Sequence, residues 1–571
     1  MLNNKNLIFE IMKVFIKTIL NVILPLSFVF SMIISCNKSK SEKTEVEKNP
    51  VDSIASSEMT NNPPVNKFIY SDSDYPIIHF DVSQSDNTPL AMWKGNYTVQ
   101  ESDIDYVPLT WASRSSLHKV YKDGSEALLC TGNAEIAKVK IQDRHLKLVN
   151  QLIAPGQETS YAKPEETAAL VKTMDANYMK EDGYIKPVSE FLKKHKQGLE
   201  NGAYGVYSMI DNDGFLYAGY GTTLVKYGEG TNANADTPLK LIDKMDLRDH
   251  LPKELAQKVH RFLGINITYD GYIVVAMPGI VAIVSRDLKK VWACAIPGEI
   301  VDNGVTLDDK GGIYLVTDKY MRKMVWTGKK LSLDEADGAW KEPYPYDKSK
   351  KALWLSHGSG ATPTLMGFGD NEDHLVVLSD AGNPVKVMAF WRDEIPADAK
   401  QVEGAATKRM ASALKIDFPV ATTIEWSLQV YKNGVLAFAS DFPDPVLIDK
   451  TQVFPLTLLS MGYTRKGPKG AQCFSWNSKT NTLENRWLYT DRSLTWTLSP
   501  VSRKDNAIYL NTLENGEQII IGKDWDNGKQ VAEIRLPKTY KINTCGQFIY
   551  PLRNGDLVVS GAFGPALIRK K

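Results

Sequence analysis

Several side chains beyond residue 260 of this chain could bind an ion or move a proton. Asn266, Asn303, Ser359, Thr362, Glu425 and Gln547 each stand just ahead of an apolar run or at its start. Amide, hydroxyl and carboxylate oxygens of this kind suit Ca²⁺, a hard cation that takes about 6 to 8 oxygen ligands. Glu425 and Asn303 are the expected metal ligands, and Asn266, Ser359, Thr362 and Gln547 the further ligand contacts, provided one fold gathers them. His357 is the histidine best placed for general acid–base work beside them, with Glu425 as the second catalytic group. Ser359 lies between Gly358 and Gly360, but the stretch is not G-x-S-x-G, so no nucleophile elbow is expected there. The plainer reading is that any water-filled channel mouth carries polar residues.

The remaining motifs exclude more than they suggest. Asp211-Asn212-Asp213-Gly214 and Asp524-Trp525-Asp526-Asn527-Gly528 look like the start of a calcium loop. Both lack the later ligands and are expected to be hairpin turns. No H-x-x-x-H pair, phosphate-cradling loop or dinucleotide fingerprint occurs, so neither zinc nor a nucleotide is expected. Cys130, Cys294, Cys473 and Cys545 have no C-x-x-C spacing and read as small apolar strand residues. His374 opens a strand and is expected on an exposed edge. With a formal net charge of +1, the chain has no basic excess for nucleic acid.

The elements that would have to position these residues repeat one theme. Eight times, a turn of Asp, Asn, Lys or Gly leads into a run rich in Val, Ile, Leu and Tyr. The turns are centred on Asp123-Gly124, Asp213-Gly214, Asp270-Gly271, Lys310-Gly311, Asp370-Asn371, Asn433-Gly434, Asp505-Asn506 and Asn554-Gly555. Turn residues that tolerate positive φ between two β-branched runs predict hairpins. Repeated four-stranded units that pack radially make an all-β protein with a single β-propeller, in which no long sheet edge is left open. Eight blades are expected, with seven the alternative, and short helical insertions at Lys163–Glu200 and Leu247–Leu263. Lys329–Ser349 reads as an irregular loop. The last unit, Gln547 to Ile568, shows only three strand segments, and the region Asp103–Ala112 is expected to supply the fourth.

The N-terminal end predicts location. A run of 17 largely apolar residues, Ile19 to Ser35, follows a charged start and ends in Ile33-Ile34-Ser35-Cys36. This resembles a bacterial lipoprotein signal, which implies cleavage after residue 35, acylation of Cys36 and anchoring by buried CH₂ groups at about 0.8 kcal/mol each. Residues 36–66, rich in Lys, Glu, Ser, Asn and Pro, read as a tether too polar to fold, and 67–571 as the propeller domain. The expected place is the cell envelope, outside the cytoplasm and on the outer membrane.

Two stretches sharpen the fold reading. Gly264-Ile265, Tyr269-Asp270-Gly271-Tyr272-Ile273, Asn303, Asp309-Lys310-Gly311-Gly312-Ile313-Tyr314-Leu315-Val316-Thr317-Asp318 and Trp326 form the first. Gly358-Ser359-Gly360-Ala361-Thr362-Pro363-Thr364-Leu365-Met366-Gly367 and Leu375-Val376-Val377-Leu378-Ser379-Asp380 form the second. With Thr423 to Leu428 and Tyr550-Pro551-Leu552, they resemble a family of bacterial secreted proteins with a quinoprotein-like (PQQ-repeat-type) propeller, largely without assigned activity. Ala381 departs from the expected Asn, and the neighbouring cysteine pair and tryptophan docking motifs of quinone-dependent dehydrogenases are missing, so bound PQQ is not expected. The leading functional expectation is a binding or scaffolding module for an envelope protein or glycan. A Ca²⁺-dependent hydrolase or lactonase at the channel mouth is the alternative, and a polysaccharide lyase ranks below both.

Overall fold

The computed structural model describes residues 59–196, 205–301, 303–347, 358–419, 424–440, 445–461, 463–498, 500–544 and 547–571. These residues form a β-propeller, and among them lie eight sheets, each built on four or more strands. Every one of the eight predicted turns joins the first strand of a sheet to its second. Gly124 and Gly271 adopt φ of 81° and 89°, the left-handed region those turns require. Side chains tie the turns to the strands that follow. Asp308 Oδ1 accepts from the N–H groups of Lys310 and Gly312, and its Oδ2 accepts from Tyr314 Oη at 2.7 Å. Six residues likewise separate Asp211 from Tyr217, whose Oη donates to Asp211 Oδ2 at 3.1 Å.

The inner strands are apolar on both faces because each sheet is covered on both sides by its neighbours. Ile273–Met277 and Ile280–Val284 are wholly buried, whereas the outer strand Val291–Ala295 is only half-buried. Continuous rather than alternating hydrophobicity follows directly from that double coverage.

Successive first strands touch one another. Ser113–Val120 contacts Ser208–Ile210, which contacts Gly264–Ile267, then Thr306–Leu307, Thr364–Met366 and Gln429–Tyr431. Gln429–Tyr431 contacts Asn87–Thr88, which pairs in parallel with Val501–Ser502. Gln547–Pro551 returns to Ser113–Val120. The last sheet takes its outer strand from Ile104–Tyr106, antiparallel to Gly564–Ile568, as the sequence predicts.

Other expectations need correction. Residues 329–349 are not wholly irregular, since Trp340–Pro343 pairs with Tyr320–Lys323 as an extra strand. The buried helix Val453–Ser460 has too little amphipathic pattern to be read as one. The propeller body does not begin at residue 67. Met59 is buried in its core, Asn61 Oδ1 accepts from Gly367 N–H at 2.7 Å, and Asn66 Nδ2 donates to the Ile267 carbonyl at 3.0 Å. Short polar side chains there satisfy backbone groups at the turn end of the sheets, which composition alone reads as solvated linker. Lys163–Glu200 yields two helices, Pro164–Ala176 and Glu181–Lys194, and Leu247–Leu263 only single turns.

Candidate functional site at the propeller axis

The ring of first strands encloses a piece of its own chain. Residues 75–88 are buried except for the half-buried Pro76 and Asp81. Their backbone bonds to one sheet after another. The Tyr75 carbonyl accepts from His118 N–H at 3.0 Å, that of Pro76 from Ile210 at 2.8 Å, and that of Val82 from Leu307 at 3.0 Å. The Ser83 carbonyl takes Leu365 N–H at 3.1 Å, that of Ser85 takes Val430 at 3.3 Å, and that of Asp86 takes Val501 at 2.9 Å. Tyr75 packs on Tyr550 at 4.5 Å between ring centroids, so the last sheet is touched too. Backbone groups buried this deeply need partners, and the inner strands supply them.

That plug decides what the predicted site residues do. Asn266 is fully buried, and its amide nitrogen donates to Val82 O at 3.1 Å and Val305 O at 2.9 Å. It holds the plug in the ring. Asn303 and Thr362 do come together, around a residue that sequence reasoning missed, Tyr207. Tyr207 Oη donates to Asn303 Oδ1 and lies 3.4 Å from Thr362 Oγ1, while Asn303 Nδ2 donates to the Gly360 carbonyl. Burial pushes the Tyr207 hydroxyl above its ordinary pKa, so it stays a neutral donor. Gly304 allows this closeness, because a Cβ there would sit 3.0 Å from both Thr362 Oγ1 and the Tyr207 ring. Ser359 is buried, its N–H donating to Tyr344 Oη at 3.0 Å and its Oγ accepting from Ala361 N–H at 3.3 Å.

Glu425 belongs to the lead-in of a different sheet and donates its backbone N–H to Ser440 Oγ at 2.9 Å. Gln547 starts the first strand of the last sheet, where its backbone pairs with Thr497. His357, the proposed acid–base histidine, and Cys36, the proposed lipid site, lie outside the described residues. Among the described residues no group of three or more His, Cys, Asp and Glu is placed to hold a metal ion. His374, expected on an exposed edge, is only partly exposed, and its ring bonds Asp393 at 2.8 Å and the Gly369 carbonyl at 3.0 Å. Asp211 Oδ1 accepts from Asp213 and Phe215 N–H groups, so that acidic stretch is the hairpin turn predicted.

Sequence reasoning also missed the pair at the heart of the plug. His79 Nδ1 and Asp86 Oδ1 are 2.8 Å apart, with both side chains almost wholly buried. Burial raises the Asp86 carboxyl above its ordinary pKa, and the His79 ring opposes that rise. Nothing in the stretch Tyr75 to Thr88 marks it, because its conformation depends on strands far along the chain.

A second feature lies toward the ends of the sheets opposite the first turns. A cleft of about 670 Å³ is lined by Glu254, Lys258, His260, Glu299, Asp318 and Lys319, among others. Its wall is braced by a buried ion pair, Arg322 Nε to Glu299 Oε2 at 2.7 Å, with Thr317 Oγ1 donating to the same oxygen at 2.9 Å. Asp318 Oδ1 caps Ile300 N–H at 2.8 Å.

Comparison with known proteins leaves the family open. No family model matches the chain. An uncharacterized protein of Archaeoglobus fulgidus is 27% identical over 351 residues, covering 60% of this chain. The chain spans 65% of that relative's length. Among solved structures, a europium-containing methanol dehydrogenase aligns with a TM-score of 0.44 at 8% identity, covering 86% of this chain and 89% of that one. Saccharomyces cerevisiae Sqt1 aligns at 0.37 and 8% identity, over 78% and 100% of the two chains. A streptogramin B lyase aligns at 0.34 and 8% identity, over 81% and 96%. Every one of these scores is below 0.5, and the propeller architecture stands on its own sheets and their contacts.

Proposed function

We propose that this protein is a lipid-anchored, extracytoplasmic propeller of eight blades, one per sheet, that binds an envelope protein or glycan at the outer membrane. The observation that carries the reading is the plug. Residues 75–88 fill the ring interior, where a propeller could otherwise gather side chains from every blade around a reacting molecule. The amide of Asn266 is occupied by that plug, and Asn303 and Thr362 by Tyr207, which favours a recognition role over metal-assisted hydrolysis. A planar quinone would have to share the ring with the same residues. The polar walls of the cleft around Lys258, Glu299 and Asp318 suit a hydroxyl-rich or charged partner. Descent from the bacterial secreted family with quinoprotein-like propellers fits the same picture.

Mild-detergent purification tests it. Co-purification of an envelope protein or glycan, with no turnover on a panel of esters and lactones, is the expected result. Turnover together with bound Ca²⁺ by elemental analysis, and a melting temperature lowered by chelator, would replace binding by Ca²⁺-dependent hydrolysis through Glu425 and Asn303. Cys36→Ala should release the protein or leave its precursor uncleaved, and normal membrane retention with a processed terminus would remove the lipid anchor.

A further inference from the structure

The polar inventory of the plug is lopsided. Asp86 Oδ1 is taken by His79, but Asp86 Oδ2 is buried without a hydrogen-bond partner among the described residues. Gln84 Oε1 and Asn87 Oδ1 are buried without partners there as well. The amide nitrogens of those two residues are already used, Gln84 Nε2 on the Asp81 carbonyl at 3.3 Å and Asn87 Nδ2 on the Val430 carbonyl at 2.7 Å. That leaves three acceptor oxygens on residues 84, 86 and 87. Within the plug, residues 75–88, the Tyr75 hydroxyl is the single buried side-chain donor left without a partner among the described residues. Asp86 is 0% exposed, Gln84 2% and Asn87 7%.

Two further facts point to what is missing. A second carboxylate, Asp81, lies in the same stretch, and among the described residues it accepts from the Ser83 and Ser85 hydroxyls rather than from a cation. Buried charge without a full set of partners is costly, and buried acceptors need donors or a cation. In addition, His79, Phe80, Gln84 and Asp86 all adopt positive φ, between 58° and 71°. L-residues hold that conformation at a cost of about 1 kcal/mol or more each, so four such residues in one short stretch mark a backbone held by its surroundings.

We propose that the propeller axis holds a small monovalent cation, with Asp86 Oδ2 as its charged ligand and the Gln84 and Asn87 side-chain oxygens as neighbouring ligands. Oxygen-only ligation selects a hard ion, and the single available carboxylate oxygen matches one positive charge. Potassium and ammonium ions are close in size and meet the same chemistry. The site is separate from the partner-binding cleft, so its failure and the failure of the binding reading are distinguishable.

The test is melting of the full chain in detergent at constant ionic strength, with KCl, NH₄Cl or tetramethylammonium chloride as the only salt. The expected result is a saturable rise in melting temperature with K⁺ or NH₄⁺ over tetramethylammonium, which is too large to enter and has no N–H donor. K⁺ acting alone assigns an alkali-metal site, and NH₄⁺ acting alone an ammonium site. Asp86→Asn should abolish the rise, and Gln84→Met should weaken the half-saturating concentration about tenfold while leaving the His79–Asp86 pair intact. Should Asp86→Asn fail to fold, the salt titration of Gln84→Met decides by itself. Identical melting in the three salts, which would mean that only water fills the space, overturns the proposal. So does a rise unchanged in both variants.

Discussion

Ile104 lies opposite Ile568 in an antiparallel pair, with Asp105 opposite Leu567 and Tyr106 opposite Ala566. One sheet is therefore made from both ends of the propeller chain, and the ring closes through it. Removing residues 562–571 should abolish cooperative melting. Leu567 and Ile568 are fully buried, and each contributes about 1.5–3 kcal/mol of burial, a large share of an ordinary stability of about 5–15 kcal/mol. A truncated chain that melts in one sharp transition near the full-length temperature would show that closure is dispensable.

The plug should behave as core rather than as a loop. Ile77 is fully buried in the ring, so Ile77→Ala is expected to cost about 2–5 kcal/mol in denaturant unfolding. Val65 is 92% exposed, and Val65→Ala should change stability by less than about 0.5 kcal/mol. Equal small effects at the two positions would mean that residues 75–88 contribute little to the folded body.

Glu135 should make stability fall as pH rises. It is buried, accepts from Thr110 N–H and Gln151 Nε2, and has no cationic partner among the described residues. Burial pushes its carboxyl up from 4.5 to about 7, against the pull of those two donors. The native state thus holds a proton that the unfolded chain has released. The stabilisation is complete below about pH 4.5 and disappears as pH rises to about 7, with a slope of at most ~1.4 kcal/mol per pH unit. Urea unfolding at pH 5 and pH 8 should show the difference narrowed in Glu135→Gln, and an unchanged difference would assign the pH dependence elsewhere.

Gly434 lies against the Trp525 indole, where a Cβ would fall 2.5 Å from Nε1. That nitrogen donates to the Tyr431 carbonyl at 2.9 Å, linking two neighbouring sheets. Gly434→Ala should cost about 1–3 kcal/mol by overpacking and shift tryptophan emission to the red as the ring is displaced. Unchanged emission and melting would mean that the turn moves aside at no cost.

Local chemistry made much of the architecture readable. Strand periodicity and turn residues are properties of a few neighbouring positions, so all eight hairpins follow from turn residues placed between β-branched runs, and the strand missing from the last unit pointed to its partner at Ile104–Tyr106. Even Asn303 and Thr362 were recognisable as neighbours, because both introduce first strands that a propeller must bring to one axis. The tertiary structure alone decided what fills that axis. Residues 75–88 have no repeating pattern, and their shape is imposed by hydrogen bonds to strands from all along the chain, so no local rule could turn Tyr75 to Thr88 into a plug or set His79 against Asp86. For the same reason, whether the Asn266 amide would face a ligand or the carbonyl of Val82 depended on a segment nearly two hundred residues away.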